Sequence, residues 1–245
     1  MTIWPWVAGV GAGLGIVLLL RWRWSREPFL IAMLRDLVGA YARGMLRFRP
    51  PARDPLPPTG PVLLICNHVS GLDPFLLCLS TSRRVGFLIS REYYDLWWCR
   101  WMFDLVGCIP VDEDAANVGA TRAAIRGLEA GKVIATFPEG QIQRVGAPPR
   151  LSPRQLHRSP ARIALAVGAP VVPARLTGPK TYGRSIWPPF LRPARARLTF
   201  GPPVTVADLR DRRDREAARA EAQARIDAAV AALTHALRTR LGQHG

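Results

Sequence analysis

The apolar positions between Val62 and Phe200 fall into short runs that are separated by helical patterns. Six runs have the length and composition of buried strands: residues 62–66, 85–89, 108–111, 133–137, 171–176 and 196–200. Four segments with helical spacing lie between several of them: residues 74–80, 92–106, 117–130 and 160–167. This alternation predicts an α/β fold with a central, mostly parallel sheet flanked by helices.

Residues 3–20 are uncharged and apolar, and they predict an N-terminal membrane helix within an anchor of residues 1–26. As an α-helix this stretch is roughly 27 Å long, close to the ~30 Å hydrocarbon core of a bilayer. The arginines at positions 21, 23 and 26 predict that the rest of the chain lies on the cytoplasmic side of the inner (cytoplasmic) membrane. The alternative interpretation is a buried core helix.

The pattern divides the remaining chain into four segments. Residues 27–48 predict an amphipathic interfacial helix, which lies on a membrane or packs on the domain. The proline-rich residues 49–61 predict a linker, and residues 62–204 are the predicted catalytic domain. Residues 205–245 predict a C-terminal helix that packs on the domain through one apolar face: Ile226, Val230, Leu233, Leu237 and Leu241.

Composition narrows the possible partners. The chain has 34 basic and 18 acidic residues, and a net charge of +16 first suggests nucleic acid. The basic residues are almost all scattered arginines and no nucleic-acid-binding motif is present, so we expect no nucleic-acid partner. A basic surface also suits an anionic membrane. The four cysteines lack C-x-x-C spacing and predict buried, reduced thiols and no metal site.

The segment N-H-V-S-G-L-D-P, residues 67–74, contains the first candidate catalytic residues. Asp73 and Pro74 predict a helix start, with the aspartate as N-cap and the proline as first helical residue. The five-residue separation can bring the Asp73 carboxylate to one nitrogen of His68 and leave the other as a general base. No G-x-S-x-G motif is present, which favours attack by the substrate's own hydroxyl. Taken alone, H-x4-D also fits a structural histidine beside a capping aspartate.

Two more segments and one aromatic run contain further candidates for ligand binding or membrane contact. In F-P-E-G, residues 137–140, Glu139 and Gly140 follow a predicted strand, which is typical of a ligand-binding loop. The alternative for Glu139 is a structural salt bridge. The segment A-P-V-V-P-A-R-L, residues 169–176, is a strand interrupted by prolines. The aromatic residues 93–103 predict an interfacial helix at a lipid entrance or a helix packed on the sheet.

With these motifs the chain resembles the lysophospholipid acyltransferase family, which includes the 1-acylglycerol-3-phosphate acyltransferases. The matching blocks are N-H-V-S-G-L-D-P, G-C-I-P-V-D-E-D, F-P-E-G and A-P-V-V-P-A-R-L, within residues 62–204. The resemblance implies an acyltransferase fold with a membrane-associating N-terminal element, His68 as general base and Asp73 as its partner. It also implies transfer of a fatty acyl group from acyl-CoA or acyl-carrier protein to a lysophospholipid hydroxyl, without metal or bound cofactor.

The chain departs from the family pattern where the resemblance places two arginines that contact the acceptor's phosphate. Glu113 and Ile142 occupy those positions, and neither offers the two-pronged phosphate contact of arginine. The acceptor therefore stays open between a lysophospholipid and a glycolipid or aminolipid. Four arginines are candidate replacements: Arg91, Arg144, Arg175 and Arg184. Glu139 completes the predicted substrate-binding set with Gly140, whose backbone N–H is the predicted oxyanion donor.

Two other classes of function stay open on sequence alone. A catalytically silent lipid-binding protein on the same fold would release no thiol from acyl-CoA. A basic nucleic-acid binder would show salt-sensitive DNA binding after removal of residues 1–26.

Overall fold

The computed structural model describes residues 29–111, 118–140, 142–145, 158–182 and 188–242. The predicted membrane helix of residues 3–20 lies outside these ranges, as do Glu113 and Arg184. Within the described ranges, no helix combines the length and the apolar character that a bilayer crossing requires.

A six-stranded sheet in the order β3-β2-β4-β1-β6-β8 forms the centre of the fold. Its strands are β1 (Val62–Cys66), β2 (Val85–Ser90), β3 (Ile109–Val111), β4 (Val133–Thr136), β6 (Val171–Thr177) and β8 (Arg197–Phe200). Five strands are parallel and β8 is antiparallel to β6, which confirms the mostly parallel sheet. The prediction succeeded because β1 and β4 are buried at every residue, so both read as continuous apolar runs.

Helices and a small second sheet surround this sheet. The helices are α1 (Phe29–Met45), α2 (Asp73–Leu79), α3 (Arg91–Tyr94), α4 (Trp97–Val106), α5 (Val118–Glu129), α6 (Arg158–Val167), α7 (Pro188–Leu191) and α8 (Arg215–Gly242). A 3-10 turn covers Ala207–Leu209. The second sheet pairs β5 (Arg144–Val145) with β7 (Thr181–Tyr182) in parallel.

Two hydrophobic clusters, one on each face of the large sheet, form the core. Neighbouring residues of a strand point to opposite faces, so Leu64 and Leu63 of β1 belong to different clusters. Leu64 shares its cluster with Leu76 of α2 and with residues of α1, whereas Leu63 shares its own with Ala164 of α6 and Ile226 of α8. The domain therefore has three layers, with α1 and α2 on one face and α5, α6 and α8 on the other.

The segment 49–61 is packed on the domain and is not the linker that its prolines predict. Leu56 is buried in the cluster that contains Leu64. The carboxylate of Asp54 accepts hydrogen bonds from the backbone N–H and the hydroxyl of Ser82, both at 2.6 Å. Arg83 donates to two carbonyl oxygens of the segment at 3.0 and 2.6 Å. Proline fixes φ without requiring flexibility, so this irregular segment belongs to the folded domain, which begins before residue 62.

Helix α1 packs on the domain through only one face. Gly39 and Ala42 are buried, while three apolar side chains on the helix are exposed by 41–66%: Leu30, Met33 and Leu37. The sequence left packing on the domain and lying on a membrane as alternatives. The structure confirms the packing, and no described residue covers the apolar stripe.

The aromatic segment predicted as one helix over residues 92–106 forms two helices, α3 and α4. Leu96 adopts an extended backbone (φ −62°, ψ 112°) and separates them. Trp97, the first residue of α4, is 86% exposed.

The predicted C-terminal helix is present, but its contact face lies nearer its start. Ala218, Ala222 and Ile226 are buried, whereas Val230 is exposed. Of the later leucines of the predicted stripe, Leu233 and Leu237 are half-buried, and the side chain of Leu241 lies outside the described residues.

Candidate active site

The predicted site lies where three central strands end. β1 lies between β4 and β6, and the three strands are parallel. Their carboxyl ends therefore share one edge of the sheet, and the segments that follow carry His68, Glu139 and Thr181. This edge is where open α/β sheets bind ligands.

His68 and Asp73 form the pair that their spacing predicts. Nδ1 of His68 lies 2.8 Å from Oδ2 of Asp73. A carboxylate only accepts hydrogen bonds, so Nδ1 carries the proton and Nε2 carries the lone pair. Asp73 is fully buried, whereas the His68 side chain keeps 16% of its surface exposed. The pair thus has the geometry of a general base and its orienting carboxylate.

Four donors converge on the Asp73 carboxylate. Besides His68, Oδ2 accepts the backbone N–H groups of Val69 and Ser70 at 2.6 and 2.9 Å, and Oδ1 accepts the Ser70 hydroxyl at 2.7 Å. The predicted N-cap role is wrong, because α2 begins at Asp73 and Leu72 takes the N-cap position without a side-chain cap. The carboxylate turns back over the loop, where those buried N–H groups would otherwise lack an acceptor.

Asn67 is a site residue that the sequence reasoning missed. Its Nδ2 donates to the carbonyl oxygen of Leu176 at 3.0 Å, and its Oδ1 accepts the Leu176 N–H at 2.7 Å. These two bonds tie the end of β1 to β6 directly before His68. The available signal was its position before the histidine, because an amide side chain offers one donor and one acceptor to a neighbouring backbone.

Phe137 is a second residue whose role the sequence did not indicate. Its ring stacks on His68 with centroids 4.1 Å apart and an interplanar angle of 17°. Phe87 stacks in turn on Phe137, at 6.1 Å. The sequence assigned Phe137 to a strand, but β4 ends at Thr136 and Phe137 follows it as the apolar support for the imidazole.

Glu139 lies beside the pair, as predicted. Its Oε1 accepts a hydrogen bond from Nε2 of Gln143 at 3.0 Å, while its Oε2 is buried and has no partner among the residues that the structure describes. Burial raises the pKa of the Glu139 carboxyl, partly opposed by the charge of His68. Among the residues whose side chains the structure describes, Glu139 makes no ion pair with arginine or lysine, and the side chain of Arg144 lies outside this set.

Gly140 differs from its predicted role. It adopts φ +65°, the left-handed region that favours glycine, and its N–H donates to the carbonyl oxygen of Phe137 at 2.9 Å. The tight turn after β4 therefore uses the N–H that was predicted to contact an oxyanion.

Two backbone hydrogen bonds fasten the small sheet to the catalytic loop. The N–H of Gln143 donates to the carbonyl oxygen of His68 at 2.7 Å, and the N–H of Thr181 donates to that of Val69 at 3.2 Å. Gln143 directly precedes β5 and Thr181 begins β7, so the paired strands hold the loop of His68 from one side.

The candidate phosphate-binding arginines are spread over the domain. Arg175 donates to the hydroxyl of Thr234 on α8 at 3.3 Å, so its guanidinium has a partner outside the His68–Asp73 pair. Arg91 begins α3 with an exposed side chain, and Arg144 begins β5 next to Gln143. Of these three, the structure brings the backbone of Arg144 close to the catalytic loop.

Three cysteines are free thiols: Cys66, Cys78 and Cys108. Cys66 ends β1 in full burial, which raises the pKa of its thiol, and burial raises the pKa of Cys108 to about 11. Within the described residues, no group of three or more histidine, cysteine, aspartate or glutamate side chains is placed to hold a metal ion.

Comparisons with known proteins agree with this geometry. The family model Acyltransferase matches residues 49–177, just over half of the chain and all four motif blocks. The crystal structure of the 1-acyl-sn-glycerophosphate (LPA) acyltransferase PlsC from Thermotoga maritima has a similar fold, with a TM-score of 0.57 and 20% identity over 90% of this chain and 88% of that one. The family match starts at residue 49, in agreement with the packed segment 49–61. The chain therefore belongs to the acyltransferase family, as its motifs implied, and is an acyltransferase.

Proposed function

We propose that the protein is a membrane-associated O-acyltransferase that moves a fatty acyl group from acyl-CoA or acyl-carrier protein to a lipid hydroxyl. One observation carries this proposal: His68 is held by the buried Asp73 at 2.8 Å, at the ligand-binding edge of the sheet. No bound cofactor or metal takes part, because a thioester is already an activated acyl donor.

In the proposed reaction, Nε2 of His68 takes the proton of the acceptor hydroxyl while the hydroxyl oxygen attacks the thioester carbonyl carbon. Asp73 stabilises the imidazolium that forms. The tetrahedral intermediate collapses with cleavage of its C–S bond, and the leaving sulfur receives the proton from His68. The products are an acylated lipid and a free thiol, and no further reactant is needed.

The proposed acceptor is a lysophospholipid of the 1-acylglycerol-3-phosphate type. The structural neighbour from Thermotoga maritima acts on 1-acyl-sn-glycerophosphate, and its fold is similar to this one. A second acceptor class, a glycolipid or an aminolipid, is favoured by Ile142, which stands in F-P-E-G-Q-I-Q where the family pattern has a phosphate-contacting arginine. An isoleucine offers no donor to a phosphate.

We further propose that the domain works at the cytoplasmic leaflet of the inner membrane. Residues 3–20 would anchor it, and the uncovered apolar side chains of α1 and α4 would contact the lipid surface. Leu37 and Trp97 are exposed by 66% and 86%. In liposome flotation of the chain without residues 1–26, where the anchor does not dominate binding, Leu37→Ala and Trp97→Ala should each lower the bound fraction, whereas Val230→Ala on α8 should not. Equal binding by all variants would contradict this orientation.

The test of the proposed function is thiol release from a long-chain acyl-CoA by the detergent- or liposome-embedded protein, across a panel of lysolipid acceptors. We expect at least one acceptor to drive release, and His68→Ala to lower the rate by about 10²-fold or more. His235→Ala, an exposed histidine on α8, is the matched control and should leave the rate unchanged.

The preferred acceptor distinguishes the two acceptor classes. If none drives release, the panel is repeated with acyl-carrier protein as donor. Silence with both donors would refute the enzyme and favour a lipid-binding protein without catalysis.

A further inference from the structure

Gln143 contacts two parts of the site at once. Its backbone N–H donates to the carbonyl oxygen of His68 at 2.7 Å, and its side-chain Nε2 donates to Oε1 of Glu139 at 3.0 Å. Any residue except proline can make the backbone bond. The bond to Glu139 needs a donor at the end of a side chain of this length.

The second oxygen of Glu139 is the reason to assign this contact a role. Among the described residues, Oε2 is buried and has no hydrogen-bond partner, although the backbone N–H groups of Glu139 and His68 act on the carboxyl and lower its pKa. A buried carboxylate oxygen without a donor is unfavourable, and such orphaned groups are rare in folded proteins. Gln143 bonds both Glu139 and the backbone of His68, which places the Glu139 carboxyl near the proton-transfer pair, and both His68 and Asp73 influence the pKa of that carboxyl.

We propose that Gln143 is a positioning residue for acyl transfer. Its amide holds Oε1 of Glu139 in place, so that Oε2 is presented to a hydrogen-bond donor of the acceptor lipid next to His68. This inference rests on the proposed acyl transfer and adds a residue that its mechanism did not use. Gln143 acts through Glu139 and through the backbone of His68, and it takes no part in bond making.

The charges around Glu139 fix the direction of the expected pH effects. His68 lowers the pKa of the Glu139 carboxyl and Asp73 raises it, while Cys66 is a buried neutral thiol nearby. A hydrogen bond to a carboxylate favours its charged form. Loss of the Gln143 donor should therefore raise the pKa of Glu139, and a cationic donor in its place should lower it.

Two substitutions of Gln143 and one control separate this role from a general structural one. Gln143→Met keeps the length of the side chain and removes the donor, whereas Gln143→Lys keeps a donor and adds charge. The control is Gln223→Met, because Gln223 makes the same type of bond, Nε2 to Oδ1 of Asp227 at 2.9 Å, on the distant helix α8.

The kinetic experiment is thiol release as a function of acceptor and donor concentration in the full-length protein. Gln143→Met should lower kcat/KM for the acceptor roughly three- to tenfold, because a charge-assisted bond is lost but the exposed amide is partly replaced by water. The KM for acyl-CoA should not change. Gln143→Lys should recover at least half of the loss, and Gln223→Met should show none.

A second readout does not depend on activity. The titration of the Glu139 side chain is followed by carbon-13 NMR of the protein labelled in its glutamates, with Glu139→Gln to assign the signal. The midpoint should move to higher pH in Gln143→Met and to lower pH in Gln143→Lys, and it should stay in place in Gln223→Met.

The outcomes are distinct. Opposite NMR shifts together with the loss of acceptor kcat/KM would support the proposal. Unchanged titration in both Gln143 variants would show that the contact does not hold Glu139. Shifted titration with unchanged kinetics would overturn the positioning role. A wild-type protein that is silent with every acceptor and both donors would overturn the proposed function and the positioning role together, with the NMR shifts still reporting the contact itself.

Discussion

Asp73→Asn isolates the charge of the buried carboxylate from its structural role. Asparagine can keep its oxygen where Oδ2 now accepts from His68, Val69 and Ser70. Its NH₂ group then faces the Ser70 hydroxyl, which can rotate to accept. All four contacts survive in neutral form, so we expect a loss of about 1–3 kcal/mol in the free energy of unfolding.

The effect on rate should be larger. The negative charge 2.8 Å from Nδ1 stabilises the imidazolium only while His68 carries the substrate's proton. A hydrogen bond to a charged group contributes about 1.5–3 kcal/mol, which corresponds to roughly 10- to 150-fold in rate. Because Asp73 is fully buried, we expect the upper end, about 10²-fold.

Asp73→Ala gives the structural contrast. It leaves the N–H groups of Val69 and Ser70 buried without an acceptor, at a cost of about 1–3 kcal/mol each. Such a loss is large against a typical domain stability of about 5–15 kcal/mol. Urea unfolding should therefore rank wild type above Asp73→Asn and Asp73→Ala last, with the exposed Asp211→Asn equal to wild type.

The rate of thiol release by Asp73→Asn, relative to wild type, tests the predicted role of the carboxylate charge. A folded Asp73→Asn protein that works within threefold of the wild-type rate would show that the carboxylate charge does not assist His68. An Asp73→Asn protein as unstable as Asp73→Ala would show that the neutral contacts do not form.

Three further predictions concern other residues. Burial raises the pKa of Glu139, so its proton is held more tightly in the folded state and stability falls as pH rises through that pKa. Glu139→Gln should then be more stable than wild type at neutral pH, and the difference should vanish in acid, as measured by urea unfolding. Asn67→Ala should cost about 1–3 kcal/mol in unfolding free energy. Asn67→Asp should cost more, because its carboxylate faces the Leu176 carbonyl. Equal stability of both variants would contradict the role of the two Asn67–Leu176 hydrogen bonds, which together form a brace between β1 and β6. At a pKa of about 11, the Cys108 thiolate fraction at pH 8 is roughly two hundredfold below that of an ordinary thiol, so iodoacetamide should label Cys108 far more slowly in the folded than in the unfolded protein. Labelling of folded protein at the ordinary rate would contradict the burial.

The centre of the sheet could be predicted from sequence because β1 and β4 are buried at every residue. Such strands are continuous apolar runs, and their boundaries fall within a residue or two of the predicted ones. The order of the strands could not be predicted, since β1 pairs with β4 and β6, and nothing local in residues 62–66 specifies those partners. Segment 49–61 was misjudged because its prolines indicate irregular backbone but not whether that backbone packs.

In the candidate site, too, the contact between residues close in sequence could be predicted, whereas contacts between distant residues could not. The His68–Asp73 contact joins residues five positions apart, and this short spacing made it predictable. Asn67, Phe137 and Gln143 act through partners that the fold brings together from distant parts of the chain or from another loop. Asp73 was given the wrong cap role because the local sequence shows a helix start but not which N–H groups lack acceptors.

The brace between Asn67 and Leu176 has a consequence for the order of events during synthesis. His68 and Asp73 leave the ribosome early, but β6 follows about a hundred residues later. The two hydrogen bonds between the Asn67 side-chain amide and the Leu176 backbone cannot form before β6 is made. Because chains emerge at about 5–20 residues per second, the pair would exist for seconds before its frame is complete. A nascent chain halted before residue 171, where β6 begins, should carry both catalytic side chains and still transfer no acyl group.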